Sequence, residues 1–232
     1  MRDVLRRTVL ICLLTTSAWA QGPLDPALRG TEKLVTLLDR VSAVQRKTET
    51  LTAHFEQKRS SRILVAPSVS RGRFYYSAPD SVRWEYETPR VMTVLVSGGT
   101  VLTYRPAEKR AERIEVGRVQ RKFFKFFGVG EPFDELRRFF TFVLGDPGNG
   151  APYELMLSPT ARQIKKRLKA VEVKVDRDLF LPIAISYTEA DGDTTAYAFT
   201  DIVVNQPIAQ TLFTITLPAD VQVVEMKTRG ND

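Results

Sequence analysis

The chain has 232 residues, 43% of them hydrophobic and 26% charged, with 34 Lys and Arg against 27 Asp and Glu for a formal net charge of +7, and a single cysteine and a single histidine. One thiol and one imidazole exclude a disulfide framework and a metal centre built from several cysteines or histidines. No stretch reaches the roughly 20 consecutive apolar residues that a membrane-spanning helix needs.

The chain opens like a secretory leader. Arg2, Arg6 and Arg7 precede the apolar run Val9–Leu14, and Ala18-Trp19-Ala20 forms a small-x-small cleavage signal before Gln21. Cys12 lies inside this leader behind Ile11, which suits a lipidated first residue poorly, so an unanchored product is expected. Cutting after Ala20 leaves roughly 212 residues, and a single domain over 21–232 is the simplest reading. The remaining basic excess suits anionic membranes or acidic partners in an export compartment better than nucleic acid.

Asp25-Pro26 reads as a helix N-cap and first-turn proline, and Leu34, Leu37, Leu38, Val41 and Val44 then form one apolar stripe that ends near Lys47. From Leu51 the period becomes two. Leu51, Ala53 and Phe55 alternate with polar neighbours, and strands are expected at Arg62–Val65, Gly72–Ala78, Ser81–Thr88, Val91–Ser97 and Thr100–Arg105. Further strands are expected at Tyr153–Ser158, Leu168–Asp176, Ile183–Glu189, Thr194–Ile202 and Phe213–Thr216. Gly98-Gly99 and Asp191-Gly192-Asp193 supply the positive φ of tight hairpins, while Pro79, Pro89 and Pro106 mark strand ends. About ten to eleven short strands without intervening helices exclude a parallel nucleotide-binding sheet.

One segment breaks the rhythm: residues 121–144 hold eight of the thirteen phenylalanines. Pro132 and Asp134 suggest a helix start, which would set Phe133, Leu136 and Phe140 on one face, away from Arg137 and Arg138. Two compatible readings stand: a core helix closing one side of a sheet, or a lid hinged at Gly128 and Gly130.

Catalytic signatures are wanting. His54 falls on the polar side of its strand with no triad elbow nearby, so a surface or structural role is expected. Asp176 and Asp178 would serve as an acid and base pair only if burial separated their pKa values. The basic run Arg162, Lys165, Lys166, Arg167 and Lys169 lacks interleaved aromatics and reads as a solvated hairpin or a docking patch for an anionic partner. What remains is a β surface rich in aromatics, suited to a large apolar ligand. Phe74, Tyr76 and Ala78 share one strand face, as do Val82, Trp84 and Tyr86, opposite Arg83, Glu85 and Glu87.

Phe55-Glu56-Gln57-Lys58, Gly72-Arg73-Phe74, Pro79, Arg83-Trp84-Glu85-Tyr86 with Pro89, Leu95-Val96-Ser97-Gly98-Gly99 and Tyr104-Arg105-Pro106 follow one another in a characteristic order. Glu131-Pro132-Phe133, Asp191-Gly192-Asp193, Asn205, Phe213 and Leu217-Pro218 continue it. The order resembles that of the periplasmic outer-membrane lipoprotein carriers, the LolA-like proteins, over nearly the whole chain after the leader. The resemblance implies a mainly β fold: a half-open antiparallel β-barrel with a helical lid over a hydrophobic cavity for acyl chains. It implies a monomeric, non-enzymatic periplasmic carrier without a cofactor, which takes lipoproteins from an inner-membrane lipoprotein-releasing transporter to an outer-membrane acceptor. Val82 and Trp84 would line the cavity and Phe133 would belong to the lid. The full set expected to meet lipid is Phe74, Tyr76, Val82, Trp84, Tyr86, Phe123, Phe124, Phe126, Phe127, Phe133, Leu136 and Phe140.

One departure stands out. Where family members carry a lid-holding arginine before the proline that opens the tryptophan strand, this chain has Ala78, and alternation makes Arg83 a doubtful substitute. A lipid or lipoprotein sensor, a carrier of another amphiphile, or a hydrolase of lipid esters are the alternative functions.

Overall fold

The computed structural model describes residues 22–115 and 136–226. Helix α1 (Gly30–Lys47) leads into β1 (Thr50–Ser60), β2 (Ser68–Ser77), β3 (Ser81–Thr88), β4 (Met92–Ser97), β5 (Thr100–Arg105) and β6 (Arg110–Glu115). Then follow β7 (Phe140–Gly145), β8 (Tyr153–Pro159), the one-turn helix α2 (Arg162–Lys165), β9 (Leu168–Val175), β10 (Pro182–Glu189), β11 (Thr194–Val204) and β12 (Gln222–Met226). All twelve strands belong to one sheet in the order β12-β6-β5-β4-β3-β2-β1-β11-β10-β9-β8-β7. The sheet does not close, so β12 and β7 are its edges and the fold is a half-open β-barrel.

Neighbouring strands pair antiparallel except β12, which runs parallel to β6 with Val224 opposite Glu112. The reason is the return path after β11. Residues 205–221 carry the chain back along the sheet, and Gln222 N–H donates to Lys109 O at 2.8 Å where β6 is about to begin. Five connections, β1–β2, β3–β4, β5–β6, β8–β9 and β10–β11, consequently emerge at one end of the sheet, the tip end. The connections β2–β3, β4–β5, β7–β8 and β9–β10 emerge at the other, the base end.

Alternation puts one side chain in two on the concave face. There α1 lies with Leu37, Leu38 and Val41 packed against Tyr153, Leu155, Leu157, Val171, Val173, Val175 and Ile185. The other half of the interior holds Leu51, Phe55, Phe74, Tyr76, Val82, Trp84, Val96 and Val101. Val44 and Phe199 pack against both groups, so the two are halves of a single interior joined beneath the helix.

The far end of α1 is stitched down by Asn205, whose Oδ1 accepts from Glu49 N–H at 2.8 Å and whose Nδ2 donates to Lys47 O at 3.1 Å. Asn205 has φ of +56°, a conformation that asparagine tolerates better than most side chains. At the near end Asp146 lies between Lys33 and Arg177 and bonds both, tying α1 to the β7–β8 and β9–β10 connections.

Several expected elements change. Asp25 caps a single turn through Ala27 N–H at 2.8 Å, and Gly30, at φ of +50°, separates that turn from the helix proper. Arg62–Val65 is a loop beyond β1, tightened by Leu64 N–H to Ser61 O at 3.1 Å. Phe213–Thr216 is the end of a 3₁₀ turn, Gln210–Phe213, followed by irregular chain. Of the segment expected to be helical after Pro132, the described part begins at Leu136, which is helical; 137–139 form a turn and Phe140 already opens β7. Phe140, Phe142 and Leu144 point inward by strand alternation, a period of two that the crowding of phenylalanines obscured. The strands β6, β7 and β12 had no counterpart in the sequence reading.

Candidate functional site: the concave aromatic face

Glycine at position 72 sets the geometry of this face. A Cβ there would lie 1.8 Å from Glu85 O and 3.0 Å from Phe55 Cε1. Only a hydrogen lets β3 approach β2 so closely and lets the Phe55 ring lie over the gap. Phe55 meets Trp84 and Tyr86 edge-on, with ring centroids 4.9 and 5.0 Å apart. Phe74 packs on the other side of Trp84 at 4.6 Å, and Tyr197 and Phe199 of β11 approach Trp84 at 5.1 and 5.9 Å. Edge-to-face pairs of this kind contribute about 0.5–1.5 kcal/mol each beyond their buried area.

Polarity changes along the strands. Towards the base end the face carries Leu51, Tyr76, Val82, Val96 and Val101, all buried. Nearer the tip end, Gln57 Nε2 donates to Tyr197 Oη at 3.0 Å and Tyr86 shares a side-chain hydrogen bond with Tyr197. Burial pushes the Tyr86 hydroxyl above its ordinary pKa, against the opposing effect of that hydrogen bond. Burial pushes Tyr197 well above it, reinforced by Tyr86 and Tyr187. Both phenols therefore stay neutral at physiological pH and act as donors as well as acceptors in an apolar setting.

Of the residues expected to meet lipid, Phe74, Tyr76, Val82 and Trp84 stand together in this cluster with Tyr86 packed against it. Leu136 and Phe140 lie in the other half, beside α1. Phe123, Phe124, Phe126, Phe127 and Phe133 lie outside the described residues. Phe55, Gln57, Tyr197 and Phe199 belong to the same face and were not among the residues expected to meet lipid, although Phe55 and Gln57 stand in the first motif of the resemblance. Their signal is the alternation of β1 and β11, which places them on the concave face.

The remaining polar residues resolve into structural roles. His54 sits on the outer face with Nδ1 3.0 Å from Asp201, as a surface residue. Asp176 Oδ1 accepts from the N–H groups of Asp178 and Leu179 at 2.9 and 2.8 Å, which makes it a turn former. Ala78, at the position of the family's arginine, offers its N–H to Glu49 O at 2.7 Å. Arg83 points to the outer face, pairs with Glu85 at 2.7 Å and donates to Leu212 O at 2.7 Å. It secures the 3₁₀ turn on the outside of the sheet.

An unclosed, mainly antiparallel barrel with an apolar concave face and a helix laid across it suits a large apolar ligand. The family described as outer membrane lipoprotein carrier protein LolA matches residues 46–216, and the chain belongs to that family. Among solved structures, it is similar to an uncharacterized conserved protein from Thermus thermophilus (TM-score 0.53, 12% identity, 84% of this chain and 99% of that one). It is also similar to MucB (TM-score 0.52, 17% identity, 84% of this chain and 66% of that one) and to the Pseudomonas aeruginosa MucA/MucB complex (TM-score 0.50, 16% identity, 83% and 63%). These likenesses are of fold. No curated protein matches the chain. Among the described residues no helix is long and apolar enough to cross a membrane.

Proposed function

We propose that the chain, freed of its leader, works in the periplasm as a non-enzymatic carrier that takes the acyl chains of lipoproteins onto its concave face and shuttles them from inner to outer membrane. The observation that carries this reading is the apolar, aromatic face of an unclosed barrel in a chain of the lipoprotein-carrier family. Each methylene removed from water contributes about 0.8 kcal/mol, so a protein bearing several acyl chains needs such a shelter to cross an aqueous space. The polarity of the face gives the cargo a direction. Tails lie towards Leu51, Val82 and Val101, while the polar glyceryl and peptide part meets the hydroxyls of Tyr86 and Tyr197 and the amide of Gln57. The donor is an inner-membrane lipoprotein-releasing transporter and the acceptor an outer-membrane receptor.

Mass spectrometry of the protein purified with its native ligand tests this. Acylated amino-terminal cysteine peptides are the expected result; free phospholipid alone would refute the lipoprotein cargo. A second reading, a lipid or lipoprotein sensor that binds a partner protein, draws on the likeness to MucB, whose structure is known in complex with MucA. Recovery of a stoichiometric protein partner without acyl modification would favour it.

A further inference from the structure

We infer that the tip end of the sheet is a membrane-docking surface that inserts an apolar loop among the headgroups of an anionic phospholipid bilayer. The loop between β1 and β2 presents Ile63 at 91% and Val65 at 108% exposure, with Leu64 beside them at 41%. Three consecutive large aliphatic side chains in water are unusual for a surface, and here the backbone holds them out. Leu64 N–H closes a turn onto Ser61 O at 3.1 Å, Ile63 N–H meets Ser61 Oγ at 3.4 Å, and Pro67 stiffens the return. In sheet order the neighbouring connection on one side is β3–β4, which adds Val91 at 60% exposure.

Charge identifies the occupant. The connections of this end lie side by side, and among the described residues Arg62, Arg90, Arg162, Lys165 and Lys166 are exposed on three of them without an ion-pair partner. Two acidic residues at this end are already engaged, Asp193 by Arg59 at 3.7 Å and Asp220 by Lys109 at 2.8 Å. Among the described residues Glu108 and Asp191 are the carboxylates left on these turns, and cations outnumber them there. The base end is different in kind: its turns carry Asp80, Asp176 and Asp178 besides Asp146, which Lys33 and Arg177 engage. A set of free cations around a protruding aliphatic tip matches a bilayer interface, where apolar groups enter the headgroup boundary and basic residues meet lipid phosphates. A protein partner would be expected to cover the aliphatic tip with a shaped pocket, and the spread of cations over three loops argues for a broad planar counter-surface instead. The phenol-lined end of the concave face lies on this same side, so a docked molecule would present its interior to the lipid. The proposal does not depend on what that interior carries.

The test is co-sedimentation of the purified, leader-free protein with vesicles of phosphatidylglycerol and phosphatidylethanolamine, and with vesicles of phosphatidylcholine alone. The parent should bind the anionic vesicles at least tenfold more tightly than the neutral ones. Ile63→Ser with Val65→Ser should weaken that binding tenfold or more, and Arg162→Gln with Lys165→Gln and Lys166→Gln should weaken it severalfold and flatten its salt dependence. Val143→Ser, at a valine 62% exposed on the outer face of β7, should leave it unchanged. Because the tip residues are exposed, melting curves should match the parent and exclude misfolding. Equal binding of parent and tip variant, equal binding to neutral vesicles, or no vesicle binding at all would overturn the proposal, whatever ligand the interior proves to hold.

Discussion

Gly72→Ala is the smallest change with the largest expected structural effect. The added Cβ falls 1.8 Å from Glu85 O and 2.8 Å from Glu85 C, both backbone atoms of β3 that cannot rotate away. A carbon approaches a carbonyl oxygen no closer than about 3.3 Å, so the two strands must part by about 1.5 Å, near a third of the normal strand spacing of about 4.8 Å. That displacement breaks the pairing of Gly72 with Tyr86, next to a register shift that already weakens the ladder at Arg71. It also lifts Phe55 off Trp84 and Tyr86. One or two ladder hydrogen bonds at about 1 kcal/mol each, with about 1 kcal/mol of ring packing, give a loss of about 3 kcal/mol. That lies at the upper end of overpacking costs. Gly145→Ala is the matched control, because its Cβ would meet nothing nearer than 3.5 Å and should change stability by less than about 0.5 kcal/mol. Urea unfolding of both variants measures this through the midpoint at unchanged slope. A Gly72→Ala unfolding free energy within about 1 kcal/mol of the parent would refute the account of why glycine stands there.

Asn205→Ala removes bonds to Glu49 and Lys47 and puts alanine at φ of +56°, and should cost about 2 kcal/mol by chemical denaturation, with Asn205→Gly costing less. Asp146→Asn has a pH signature. Lys33 first, then Arg177, holds the carboxyl well below the ordinary carboxylate range, so its contribution is fully present above the unfolded pKa near 4 and is lost as pH falls through the folded value. The variant should be about 1 kcal/mol less stable than the parent at pH 7, and the gap should narrow steadily below about pH 4 in thermal melts. Ser42, on the buried side of α1, has no hydrogen-bond partner for its Oγ, so Ser42→Ala should leave the melting temperature equal or raise it. Phe74→Ala, at a residue 1% exposed, should cost about 3–5 kcal/mol and expose Trp84 to fluorescence quenchers.

Much of this fold was legible because alternation is a local signal. The Ser97–Thr100 hairpin could be placed from its glycines, which adopt φ of +57° and +84°. The apolar stripe of α1 was equally plain, since Leu37, Leu38 and Val41 recur at helical spacing. Failures cluster where a local signal competes with a distant partner. β12 has no hydrophobic alternation to announce it, because Val223 and Val224 form a strand only by pairing with β6. Ile63 to Val65 carries a β-branched, strand-like composition yet pairs with nothing. Its apolar character reflects a use at the surface, which a rule equating apolar runs with buried strands turns into a false strand. The site was half legible. Residues on β2 and β3 could be assigned to one face by counting, whereas the contact of Trp84 with Tyr197 and Phe199 depends on β11 folding back beside β1, a pairing of residues about 140 positions apart in sequence.

The open edge of the barrel has a physical rationale that ties these features together. A closed barrel of twelve strands would leave no free edges but would fix its diameter, since strand number and stagger set it. An open sheet flexes, and its two halves are coupled through α1, whose Leu37, Leu38 and Val41 belong to the cluster of β7 to β10 and whose Val44 packs against both halves. The helix is anchored at both ends, by Asp146 near its start and by Asn205 at its end, so its freedom is to tilt rather than to leave. Admission of a chain between α1 and the Trp84 cluster would then exchange Val44 and Phe199 contacts for ligand contacts of the same apolar kind, a near-neutral swap that keeps loading reversible. A variant that tightens this seam, such as Val44→Leu, should stabilise the empty protein while weakening its uptake of a fluorescent fatty-acid probe. Stabilisation accompanied by unchanged or stronger uptake would show that the ligand enters elsewhere.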